Sequence, residues 1–76
     1  MRPKVKFILA GLLSKYAQGR REVEIEGGLT VERALEVLGI PSPMVGIVLV
    51  NGVQVTKDYF LQGDEVVKLV PLIGGG

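Results

Sequence analysis

Three consecutive glycines, Gly74-Gly75-Gly76, stand at the end of this 76-residue sequence, directly after the strand-like run Glu65 to Ile73. Glycine has no Cβ and the widest backbone freedom, so three in a row cost folding entropy and pack nothing. A small domain gains no stability from them. What it gains is a thin arm with a free carboxylate on an unhindered carbon, a shape that fits a narrow active site on another protein. The alternative is a frayed end or a leftover extension with no chemistry.

Few other residues offer chemistry. The chain has no histidine, cysteine or tryptophan. That excludes a disulfide framework, a thiolate zinc site and a cysteine nucleophile, and removes the usual general base near neutral pH. Glu22, Glu24 and Glu26 alternate, and a linear row of carboxylates does not enclose a cation; they read as a solubilising strand edge. Lys15, Arg20 and Arg21 cluster in sequence with no aromatic residues among them to stack bases, so they read as a solvated loop. Gly27-Gly28 lacks the strand–turn–helix context of a nucleotide site and reads as a turn. The formal net charge of +1 gives no pull toward nucleic acid or an anionic membrane. No apolar run is long enough to span a bilayer, and the N-terminus lacks a convincing signal-peptide cleavage site. With cysteine absent as well, a cytoplasmic protein is expected.

The elements that must position the arm follow from periodicity. A chain of this length makes one domain with a marginal core and little room for an enclosed pocket. Lys4 to Leu9 alternates with Val5, Phe7 and Leu9 on one face, a strand with one side toward a core. Ala10 to Ala17 predicts a short helical turn and Gln18 to Arg21 a loop. Glu22 to Glu26 predicts a second strand near a sheet edge, with Val23 and Ile25 inward and its carboxylates outward. Thr30 is a good helix N-cap. Val31, Ala34, Leu35 and Leu38 make one apolar helical face, and Gly39 and Pro41 end it.

Gly46 to Val50 predicts a strand, and Asn51-Gly52 a tight hairpin turn into Val53 to Val55. Thr56 to Tyr59 is loop-like, and Gly63-Asp64 turns the chain into a last strand, Glu65 to Leu72. The order β-β-α-β-β-β, with the last strand free to return parallel beside the first, predicts an α+β β-grasp (ubiquitin-like) fold. It is a mixed sheet of four to five strands with one main helix packed on one face. The domain is expected over residues 1–73, with 74–76 as a glycine tail.

Val50-Asn51-Gly52, then Leu61-Gln62-Gly63-Asp64-Glu65-Val66, then Val70-Pro71-Leu72-Ile73 and the terminal glycines resemble the small sulfur-carrier proteins. These include the small subunit of molybdopterin synthase and the sulfur carrier of thiamine biosynthesis. The resemblance covers nearly the whole chain and implies a carrier rather than an autonomous enzyme, though its complex with a larger subunit is expected to be one. By this resemblance Gly76 bears an adenylate and then a thiocarboxylate, and Gly75 completes the Gly-Gly pair. No cofactor is bound; ATP and magnesium are used by the activating enzyme. The implied partners are a ubiquitin-activating-type adenylating enzyme and a larger sulfur-acceptor subunit, with no nucleic acid and no membrane.

Pro71, Leu72, Ile73 and Gly74 are expected to dock on the activating enzyme and guide the arm, the other reading being that the first three cap the core. Phe60 is expected to be partly exposed beside a buried Leu61, as an interface anchor. Three glycines stand where a pair suffices, and trimming would make Gly75 the active terminus. No arginine precedes them as in ubiquitin, which favours sulfur carriage over protein conjugation. The longer loop between the first two strands favours the molybdopterin type. The compact helix followed by Gly39-Ile40-Pro41 resembles the thiamine type, and tRNA thiolation is a third route. The rivals are a ubiquitin-like interaction module whose tail is never activated, and a protein modifier joined to lysine.

Overall fold

The computed structural model describes residues 3–72. Strand β1 (Lys4–Leu9) buries Val5, Phe7 and Leu9 and turns Lys4, Lys6 and Ile8 to the other face, as the period-two alternation requires. Its antiparallel partner β2 (Glu22–Glu26) sets Glu26 opposite Lys4 and Glu22 opposite Ile8. Between them a 3-10 turn, Gly11–Ala17, drops Leu13 and Ala17 into the core.

Helix α1 (Val31–Leu38) begins as the sequence predicts. Thr30 Oγ1 accepts a hydrogen bond from the Arg33 N–H at 3.1 Å, and a left-handed Gly39 closes the other end. Val31, Ala34 and Leu35 are buried. A further 3-10 turn, Ser42–Met44, leads into β4 (Val45–Val50), which returns as β5 (Val53–Val55). Asn51 and Gly52 at the turn both have positive φ, +50° and +85°, the pairing that matches hairpin twist.

The last long strand, β7 (Val66–Pro71), lies between β1 and β4, parallel to the first and antiparallel to the second. The five-stranded sheet runs β2-β1-β7-β4-β5, with the acidic β2 at one edge as expected. The β-grasp architecture is therefore present. Two elements lie outside the expectation: β3 (Leu29–Thr30) and β6 (Phe60–Leu61), which pair antiparallel as a separate ribbon. Two residues carry no readable period; only the pairing reveals them. The ribbon places Leu61 in the core at 0% exposure and leaves Phe60 half exposed, as expected for both.

The core fills the space between one face of the sheet and the helix. Phe7, Leu9, Leu13, Leu35, Leu61 and Leu69 are its largest fully buried side chains, and no polar or charged residue is buried among the described residues. Among those residues no helix is long and apolar enough to cross a membrane.

Candidate docking face and C-terminal exit

The arm residues Gly74, Gly75 and Gly76, with Ile73, lie outside the described residues, so the site is built from what delivers the chain to them. Strand β7 ends at Pro71, opposite Val45 of β4. One residue later the Leu72 N–H donates to the Met44 carbonyl at 2.8 Å. The Pro71 ring rests over Gly11 of the 3-10 turn, so close that a Cβ on Gly11 would lie 3.3 Å from Pro71 Cγ. On the other side Gly46 lies against Leu72, and a Cβ there would stand 3.1 Å from Leu72 Cα and 3.3 Å from its nitrogen. The chain therefore leaves the sheet through a slot with a glycine on each side. Pro71 is half-buried and Leu72 is 63% exposed, so of these two residues capping describes the proline; Ile73 lies outside the described residues.

The face of the sheet away from the helix divides in two. Over β2 and β1 it carries Glu22, Glu24, Glu26, Lys4 and Lys6, of which Lys6 and Glu22 form an exposed ion pair at 3.7 Å. Over β7 and β4 it is largely apolar. Val70 lies opposite Ile47, and Lys68 lies between Ile8 and Leu49 in one cross-strand row. Ile47 and Val66 are each 40% exposed.

A β-bulge creates the upper part of this patch. The register with β7 slips between Val45 and Ile47, so Val45 and Val48, three apart, are both buried while Gly46 and Ile47 are both exposed. Unbroken alternation from Val45 would have pointed Ile47 inward and Val48 outward. The exit slot at Leu72 thus opens at the rim of the apolar patch, beside the bulge.

Sequence reasoning singled out Pro71 and Leu72 and missed Ile47, Leu49 and Val70. A signal for them existed. β4 is apolar at nearly every position, and a sheet with one helical layer buries only one of its faces, so half of such a strand must face outward.

Phe60 does not join this site. Leu61 accepts from Gly28 through its carbonyl, Asp64 donates its N–H to the Lys4 carbonyl, and Gly63 lies against Pro3. These contacts put the β6 end of the chain where β1 begins. Leu72 lies where β1 finishes, beyond the six residues of β7, a span of about 20 Å. Phe60 is 51% exposed and Tyr59 beside it 40%, a second apolar spot remote from the exit.

The Leu61 to Val66 stretch that carries the family resemblance proves to be a folded turn. The Glu65 carboxylate accepts the Gln62 N–H at 2.8 Å and the Gly63 N–H at 2.6 Å, and Asp64 sits at φ +70°. Leu61 plugs the core at one end and Val66 starts β7 at the other. Among the described residues no three His, Cys, Asp or Glu side chains converge to hold a metal ion, and no pocket is formed.

The chain matches, over residues 4–74, the family model described as Mut7-C ubiquitin. No curated protein sequence matches it significantly. Among solved structures it is similar to SAMP1 from Haloferax volcanii, at 25% identity and a TM-score of 0.70, covering 96% of this chain and 99% of that one. It is also similar to a putative molybdopterin converting factor, subunit 1, from Pyrococcus furiosus, at 25% identity and a TM-score of 0.73, covering 93% and 99%. The Haloferax volcanii HVO 2177 protein shares the fold at 16% identity and a TM-score of 0.73, covering 97% and 87%.

Proposed function

This chain belongs to the Mut7-C ubiquitin family, and from that premise we propose that it is a sulfur carrier, a co-substrate whose C-terminal glycine receives and delivers sulfur. A carboxylate oxygen of Gly76 attacks the α-phosphorus of ATP, held with magnesium by an activating enzyme, and pyrophosphate leaves. Hydrosulfide sulfur then attacks the acyl carbon, expelling AMP and a proton and leaving a thiocarboxylate. The activation is needed because a free carboxylate has no leaving group better than oxide. In-line placement at the α-phosphorus is a positioning task, and Gly75 and Gly76 keep the arm thin enough to be positioned in a tunnel.

The observation that carries this reading is the exit at Leu72. β7 brings the chain to the rim of an exposed apolar patch immediately before residues 73–76. A partner that binds Ile47, Leu49 and Val70 receives the arm in the same encounter. Pro71, Leu72, Ile73 and Gly74 guide it, and Phe60 serves a separate contact at the far end of the domain. The partners are a ubiquitin-activating-type adenylating enzyme and a larger sulfur-acceptor subunit, in the cytoplasm, where ATP is at hand. The likeness to a putative molybdopterin converting factor subunit supports the molybdopterin branch over the thiamine one.

The test is intact mass after incubation with ATP, magnesium, hydrosulfide and an activating enzyme from the same cell, with fragmentation to place the change. Exchange of one oxygen for sulfur at Gly76, absent without ATP, is expected. An unchanged mass, with the enzyme active on a known carrier, overturns the reading in favour of an interaction module whose tail is never activated. A second reading, a modifier joined to lysine through the same adenylate, is favoured by the likeness to SAMP1, also described as small archaeal modifier protein 1. Adducts of high mass that survive denaturation and resist thioester cleavage are its signature.

A further inference from the structure

We propose that Gly46 is a positioning residue for the C-terminal arm: its missing side chain allows Leu72 to be held by the Met44 carbonyl, and that bond sets the direction in which the arm leaves the domain. The inference rests on the carrier reading and adds a residue the arm itself does not contain.

Gly46 is the extra residue of the β4 bulge, where Ile47 pairs with Val70 and Val45 with Pro71. A glycine at a bulge is often explained by a positive φ, which side chains resist. That explanation fails here, because Gly46 is not among the glycines with positive φ. Its backbone accepts any residue. What crowds a side chain is Leu72, whose Cα and nitrogen would stand 3.1 and 3.3 Å from an added Cβ, so that Leu72 must give by a few tenths of an ångström. The neighbour that must yield is Leu72, the residue after β7, mostly exposed and outside the core.

A residue larger than glycine therefore pushes on the Leu72 backbone and lengthens the 2.8 Å bond from its N–H to Met44. The sheet below, from Val70 to Val66, keeps its pairing with β1 and β4. The fold survives and the launch angle changes. Gly11 lies against the Pro71 ring on the β1 side of the slot, so the residue before Leu72 has its own close neighbour.

Met44 is itself held in place. Its N–H donates to the Pro41 carbonyl at 2.9 Å, and the Ser42 carbonyl in the same turn accepts Lys57 Nζ at 2.7 Å. Ser42 Oγ donates to Glu32 Oε2 at 2.9 Å, tying the turn to the start of α1. The acceptor for Leu72 is thus braced from the helix and from the segment after β5, and the direction at Leu72 is set by the body of the domain.

The experiment measures ATP-dependent loading of Gly76 by the activating enzyme for the natural sequence, Gly46→Ala and Gly46→Val, with amide hydrogen exchange at Leu72 and thermal unfolding. Gly46→Ala is expected to leave the melting temperature and the KM for the carrier nearly unchanged. It speeds exchange at Leu72 and lowers kcat about tenfold, with Gly46→Val lower still, because misplacement of a reacting group acts on the chemical step. Equal kcat for all three overturns the proposal and leaves the carrier reading standing. Failure of the natural sequence to load overturns the carrier reading, and the proposal with it.

Should the Gly46 variants unfold, Leu72→Pro and Leu72→Ala decide the matter. Both lose the leucine side chain, but only proline loses the N–H that Met44 accepts. A kcat for Leu72→Pro about tenfold below that of Leu72→Ala supports positioning; equal values overturn it.

Discussion

At the scale of single residues, the chain separates groups that shape backbone from apolar groups left exposed at the surface. Glu65 belongs to the first kind. Its carboxylate accepts two backbone N–H groups of the turn that precedes β7, and its own carbonyl accepts the Lys6 N–H at 3.1 Å. Glu65→Ala removes two charge-assisted bonds and is expected to cost about 1–3 kcal/mol, read by urea unfolding, with no change in arm loading per folded molecule. Glu65 stands out in the sequence only as part of a family pattern. That its carboxylate clamps a turn could not be read there, because the acceptor and donors are two and three residues apart and no periodicity describes such a contact. Phe60 is the reverse case. Its exposure was legible from a buried neighbour, Leu61, while its distance from the exit was not, because only the pairing of β6 with β3 places it.

At the scale of elements, the sequence is most legible where one rule acts alone. Helix α1 has a capping threonine, an apolar face of helical period and a terminating glycine, and the structure has the helix over Val31–Leu38. Thr30→Ala removes the acceptor for Arg33 and is expected to lower stability by about 1 kcal/mol, measured by chemical denaturation, with the same slope against denaturant. Strands β1 and β2 were legible for the same reason. β4 was legible as a strand but not by face. Its bulge exchanges which of Ile47 and Val48 points to the core, and a run of apolar residues hides that exchange because either assignment buries a hydrophobe. The outward apolar patch was missed for this reason, while Pro71 and Leu72 were singled out from their nearness to the glycines.

At the scale of the whole molecule, one face of the sheet serves the core and the other is divided between charge and apolar surface. The apolar half contributes less to folding than the core, since Ile47 and Val66 remain 40% exposed while Leu49 and Val70 are partly buried. Ile47→Asp is expected to lower stability by about 1 kcal/mol, the strand preference lost with a β-branched residue opposite Val70. The same change at the centre of a binding surface is expected to weaken the complex with the activating enzyme by about 2 kcal/mol, roughly thirtyfold in Kd, as titration calorimetry would report. Equal losses in folding and binding would place Ile47 in the core instead. The β-grasp order was legible because each long element could be found separately, and because a parallel return of the last strand beside the first leaves few alternatives.

The central place of β7 has a mechanical consequence. It is bonded along one side to β1 and along the other to β4. A pull on the arm from a partner that grips it loads both rows of bonds in shear, so they must fail together. The same pull on an edge strand such as β5 would open its single row one bond at a time, like a zipper. Under the carrier reading, the domain would be tethered through its most tear-resistant strand and could be tugged into and out of a partner's tunnel without being unravelled.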